Sequence, residues 1–200
     1  MLVNLAHFFV ILHKYRELFV IKAGDILIAK PFLQDGHFKR SVIYMCEHNN
    51  EGSLGFIINK SHGLLLRDIF PHLKNGNFPL FEGGPVSPNQ LFYTHTLGDK
   101  LSGSQHVIDN VFWGGNFMEL CQMIEHGEVS SEQIRFYIGY SGWGEEQLES
   151  ELERDMWFTK NSNYVDLTRI NPEDLWGSEL VKIKPGYRAF SDYAFDPSLN

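Results

Sequence analysis

The stretch Ser41-Val42-Ile43-Tyr44-Met45-Cys46-Glu47-His48 runs into Asn49-Asn50-Glu51-Gly52 and then into Ser53-Leu54-Gly55-Phe56-Ile57-Ile58-Asn59. Two apolar runs rich in β-branched and aromatic residues flank four residues of turn type, so this order spells a β-hairpin. Upstream, residues 25–30 read as a short buried strand, ended by Pro31, which has no amide to give to a ladder. Downstream, residues 90–95 alternate apolar and polar, and residues 133–140 form another strand. A brief strand leads into the tight loop Phe81 to Val86, and Val107 to Trp113 hold two more short strands.

Helices are expected between these strands. Leu64 to Phe70 reads as one short helix. Asn116 caps a helix over 117–126, with Glu119 in the capping-box position and Phe117, Leu120, Cys121 and Ile124 on one face. Ser141-Gly142 is expected to turn into an acidic helix that runs to about Asp155. Asn171-Pro172 opens a last helix, with proline at its first position and Leu175, Trp176, Leu180 and Ile183 facing the sheet. Strands partly in hairpins and partly separated by helices predict a mixed α+β sheet, not a doubly wound parallel one.

A chain of 200 residues fits one domain, and 43% hydrophobic residues build its core without staples. Cys46 and Cys121 follow Met45 and Leu120 and read as reduced, buried residues. The formal charge of −8 repels phosphate backbones, so direct nucleic-acid binding is not expected. Residues 1–12 are apolar but lack a basic start, and His13, Lys14, Arg16 and Glu17 interrupt the run. That pattern predicts an amphipathic helix or extension, not a signal peptide or membrane span. The division expected is an N-terminal extension over 1–23 and a single domain over 24–200, in the cytoplasm and without a membrane partner.

Several constellations carry potential chemistry. Glu47, His48 and His95 sit at strand ends, but neighbouring strand residues face opposite sides, so Glu47 and His48 share a site only across a bulge. No metal-ligand spacing appears. Gly139-Tyr140-Ser141-Gly142-Trp143 is one residue short of a nucleophile elbow, because Trp143 stands where the second glycine belongs. The plain reading is that Ser141 or a neighbour caps the helix and Trp143 packs. The acids Glu145, Glu146, Glu149, Glu151, Glu153 and Asp155 read as a solvated face, with Gln147 and Glu151 sharing one side. Gly83-Gly84-Pro85 lacks the phosphate-loop spacing. Arg40 is expected to pair with a carboxylate such as Glu47 or Glu82; the sharper alternative is an anion site with His48 and Asn49.

The chain resembles the YqgE/AlgH family. The matching blocks are Gly24 to Pro31, Phe38 to Tyr44, Cys46 to Asn49, Gly52 to Lys60, Gly83 to Val86, Phe92 to His95, Gly139 to Gly144, and Gln147 to Glu151 with Trp157 beyond. The resemblance implies a branched sheet folded into a pseudo-barrel with flanking helices, a cytoplasmic protein, no cofactor, and a transcriptional-regulator label without a visible DNA-binding domain. The family often has alanine where this chain has Ser141, which argues against an obligatory nucleophile. The function expected is a non-enzymatic binding or regulatory protein with an unidentified protein or small-molecule partner. Its surface is expected to draw on Arg40, Glu47, His48, Asn49, Glu82, Gly83, Gly84, Pro85, His95, Ser141, Trp143, Gln147 and Glu151, with no catalytic and no metal-binding residue assigned. The alternative is a small-molecule hydrolase using His48, His95 or Ser141.

Overall fold

The computed structural model describes residues 21–161 and 163–192; the apolar run at 1–12 lies outside the described residues. Strands β1 (Asp25–Ala29), β2 (Val42–Asn49) and β3 (Gly52–Ile57) pair antiparallel in succession, and the hairpin forms as read. His48 faces Ser53 and Asn49 faces Gly52 across its end. The register slips between Met45 and Glu47, where Cys46 is the extra residue of a bulge.

The chain continues through β4 (Ser61–Leu65), a one-turn helix α1 (Leu66–Ile69), β5 (Pro79–Glu82), β6 (Val86–His95), β7 (Gln105–Ile108) and β8 (Val111–Trp113). Helix α2 (Phe117–Glu125) leads to β9 (Ile134–Gly144), α3 (Gln147–Glu153) and β10 (Trp157–Asn161), and α4 (Tyr164–Arg169), α5 (Pro172–Ile183) and α6 (Arg188–Asp192) follow. The strands form one sheet in the order β10-β1-β2-β3-β9-β6-β8-β7, open at both ends. It is mixed and branched. β9 takes β3 antiparallel along Ser141–Gly144 and β5 parallel along Phe136–Ile138, while β6 runs antiparallel on its other edge.

Two helix expectations need correction. Leu64 and Leu65 belong to β4, because Leu65 pairs with Pro79 on β5; only one helical turn follows. Ser141-Gly142 does not end a strand. β3 pairs with residues Ser141 to Gly144, which carries β9 four residues further, and the acidic helix starts at Gln147 and ends at Glu153. The helix caps at 116 and 171 form as read: Asn116 Oδ1 accepts from the amides of Met118 and Glu119, and Asn171 Oδ1 from that of Glu173.

β1 is buried on both faces and splits by alternation. Ile26 and Ile28 join Val42, Tyr44 and Phe56 under α5, which contributes Leu175, Trp176 and Leu180. Leu27 and Ala29 join Ile43, Met45 and Ile57 under α3, which contributes Leu148 and Leu152. A further core lies under α2, where Leu120, Cys121 and Ile124 meet Leu80, Tyr93 and Phe136. Both cysteines are free and buried.

Candidate functional site

The glycine-rich loop is a crossing. Between β5 and β6 the chain passes from one edge of β9 to the other through Gly83-Gly84-Pro85. The Gly83 amide donates to Ile138 (2.8 Å), and its carbonyl accepts from the Ile57 amide (2.9 Å) and from Ser141 Oγ (3.0 Å). A Cβ on Gly84 would stand 2.4 Å from the Tyr140 carbonyl, and one on Gly139 would stand 2.4 Å from the Gly84 oxygen. Gly84 and Gly139 also hold φ of +148° and +71°, a region open to glycine. Backbone therefore lies on backbone here, and only hydrogen atoms fit between. Ser141 is fully buried and ties the crossing together; it caps no helix, since the residue before α3 is Glu146, with φ +56° and no side-chain cap. Glu82 and Pro85 are exposed beside the crossing.

A second group gathers where the hairpin end meets α3. His48 Nδ1 lies 2.8 Å from Ser53 Oγ, and His48 Nε2 lies 3.7 Å from Glu149 Oε1. Asn49 closes the turn by accepting from the Glu51 amide (2.8 Å), while Glu47, past the bulge, is half-buried opposite Leu54. Ser53 also sits opposite Trp143 on β9. Trp143 Nε1 donates to Glu151 Oε2 (2.9 Å), and Trp157 Nε1 donates to the same oxygen (2.8 Å). Gln147 donates to Glu151 Oε1 (3.2 Å) and accepts from the Gly144 amide (3.1 Å). One carboxylate thus satisfies two nearly buried indoles and fixes α3 on the sheet. Phe38 stacks on Trp143 at 6.1 Å and meets Trp157 edge-on at 5.5 Å.

The other named residues lie away from this corner. His95 pairs with Ile134, seven residues along β9 from Ser141, or about 23 Å. It is fully buried: Nε2 lies 3.0 Å from the Gly114 carbonyl and 3.1 Å from Ser104 Oγ, and Nδ1 accepts from the Leu97 amide at 3.3 Å. That pattern fixes the neutral Nε2–H tautomer. Burial lowers the pKa of the ring, with the Gly114 hydrogen bond pulling the other way. Arg40 precedes β2 at the end opposite His48. Val42 and His48 are six residues apart on that strand, about 20 Å. The Arg40 guanidinium lies 4.6 Å from the Trp176 ring centroid, a cation–π contact that joins it to α5.

The structure therefore joins His48, Asn49, Trp143, Gln147 and Glu151 at one corner, puts Ser141 with Gly83 and Gly84 at the crossing, and leaves His95 and Arg40 apart. Ser53, and Glu149 as the partner of His48, escaped the sequence reading. The hairpin offered the signal for Ser53: with Asn49 and Gly52 closing the turn, His48 and Ser53 are obliged to face each other. Nothing local announced Glu149, which arrives from α3. Among the described residues no group of three or more His, Cys, Asp or Glu side chains is placed to hold a metal, and no helix is long and apolar enough to cross a membrane.

A family model described as AlgH-like matches residues 26–188. A UPF0301 protein of Cytophaga hutchinsonii is 39% identical over 182 residues, spanning 90% of this chain and 100% of the relative. A UPF0301 protein of Parabacteroides distasonis is 36% identical over 179 residues, spanning 88% and 90%. The solution structure of the AlgH protein from Pseudomonas aeruginosa superposes with a TM-score of 0.69 at 25% identity, covering 87% of this chain and 95% of that one. The crystal structure of DIP2367 from Corynebacterium diphtheriae shares the fold, with a TM-score of 0.70 at 20% identity over 87% and 93% of the two chains.

Proposed function

The chain belongs to the AlgH-like family, and we propose that it works as a non-enzymatic binding or regulatory module of the cytoplasm. The observation that carries this reading is how the polar residues of the family blocks are used. Ser141 holds the crossing, His95 is locked neutral in the core, and Glu151 is committed to two tryptophans. Side chains that remain accessible concentrate at the corner: His48, Asn49, Gln147 and Glu149, with Glu82 and Pro85 exposed at the crossing. These groups rest on rigid strands and a clamped helix, which suits recognition of a protein or small-molecule partner. The −8 charge directs the search away from nucleic acid.

The test is affinity capture from the native organism with mass spectrometry of bound proteins and small molecules, run beside a His48→Ala/Glu149→Ala variant. A partner retained by the parent and lost by the folded variant supports the corner. Identical recovery with both overturns it.

One specific observation favours a second reading. Ser53, His48 and Glu149 stand in relay order, hydroxyl to imidazole to carboxylate, with the hydroxyl in hydrogen-bond contact at 2.8 Å and the carboxylate 3.7 Å from the ring, an order shared with activated nucleophiles. A fluorophosphonate probe that labels Ser53 in the parent and not in His48→Ala would show an activated serine and support a hydrolase. Failure to label returns this group to a structural cross-strand pair.

A further inference from the structure

We propose that the open cavity between β6 and the start of α2 is a binding site for a neutral, planar aromatic molecule of one or two rings. The cavity measures about 330 Å³, the volume of roughly eleven liquid waters and the lower end of small-molecule sites. Phe70, Leu91, Tyr93 and Phe117 wall it. The Phe70 and Phe117 centroids are 5.0 Å apart and tilted by 49°, and Tyr93 follows 6.2 Å from Phe117. This is a continuous aromatic wall of the kind onto which a further ring packs.

Opposite chemistry completes the site. The backbone of Gly114 and Gly115 forms another wall, and a Cβ built on Gly114 would meet nothing within 4 Å. Bare peptide thus faces open space, and a flat ring can lie against it. The ionisable group in the lining is already engaged: Tyr93 Oη donates to the Gly115 carbonyl (2.7 Å), and burial pushes its pKa up to about 12. A charged ligand would lose its hydration here without a counter-charge. The adjoining start of α2 makes no anion site, because Asn116 accepts from its amides and the Glu119 carboxylate accepts from the amide and hydroxyl of Ser102.

This site goes beyond the corner. It belongs to the core under α2, whereas the corner lies over the core under α3, so either fails without the other.

The probe is indole, titrated into the full chain while amide resonances are followed by NMR. The expected result is saturable shifts of Gly114, Gly115 and Phe117, half-complete at about 1 mM or below, with indole-3-acetate at least about tenfold weaker. Leu91→Trp, which places the chain's own ring in the cavity, should abolish the shifts. If that variant does not fold, Gly114→Asn serves, since asparagine tolerates the +68° φ and projects an amide into the same space. Unsaturable shifts, equal binding of indole-3-acetate, or undiminished binding in the folded variant would each overturn the assignment.

Discussion

Gly84 and Gly139 touch backbone to backbone where the β5–β6 link crosses β9, so closely that a Cβ on Gly139 would sit 2.4 Å from the Gly84 oxygen. The fold places a strand-to-strand passage over the middle of another strand, and both glycines hold positive φ there. Gly139→Ala adds left-handed strain of about 1 kcal/mol to a collision with backbone that cannot swing aside. The expected loss is about 3 kcal/mol or more, or failure to fold, read from urea unfolding of the variant beside Gly36→Ala, where a Cβ meets nothing.

Ser141→Ala should do far less. The Gly83 carbonyl keeps the Ile57 amide, so no buried acceptor is orphaned and the cost is about 1 kcal/mol. A loss above about 3 kcal/mol in the same unfolding assay would show that the hydroxyl does more than tie the crossing.

Glu151 carries two indole donors on one oxygen. Glu151→Ala orphans both and should cost about 3 kcal/mol. Tryptophan fluorescence should shift as Trp143 and Trp157 gain solvent. Glu151→Gln keeps an acceptor and should recover part of the loss. Equal stability of all three proteins would contradict the clamp.

His95 sets a pH dependence. Its pKa is lowered below the ordinary value of 6.5, chiefly by burial. The unfolded chain therefore binds more protons than the folded one below that value, and stability decreases as pH is lowered. The contribution is full above 6.5 and is lost as pH drops toward the folded value. Urea midpoints across this window should decline in the parent, and His95→Gln should flatten the decline even though it lowers overall stability.

Glu179 is nearly fully buried on α5 and accepts from Lys160 of β10 at 2.8 Å and from Lys182 at 2.6 Å. Burial raises its pKa, but the two lysines outweigh that and leave it lowered. Glu179→Ala removes the shared partner of Lys160 and Lys182, whose side chains are 35% and 53% exposed and rehydrate, and should cost about 1 kcal/mol, with α5 loosening first in amide exchange. Because the folded carboxyl is the stronger acid, its stabilisation is present above the ordinary value of 4.5 and is lost as pH falls through the lowered one.

Much of the fold was legible where local pattern and burial agree. The hairpin at 41–59 and the helices opened by Asn116 and Asn171 formed, and the strand read over 25–30 formed over 25–29, because turn residues and capping side chains act within a few positions. The reading slipped where a distant strand intervened. Leu64 and Leu65 have helical neighbours in sequence, but β5 recruits them into a ladder. Ser141-Gly142 looks like a strand end until β3 arrives to pair with it. Glu119 was expected to close a capping box and instead reaches across to Ser102.

The mixed α+β class, the 41–59 hairpin, the helices opened by Asn116 and Asn171 and the burial of both free cysteines follow from residue order alone, because alternation, turn chemistry and composition are local or summed properties; β4, β10 and the helices at 164–169 and 188–192 do not. What the polar and glycine blocks are for emerges only when the strands are assembled. Their assembly spent Gly83, Gly84, Gly139 and Ser141 on a crossing, gave Glu151 to two tryptophans, and brought Glu149 to His48. Such roles depend on which residues meet across strands far apart in the chain, and no window of sequence encodes that meeting.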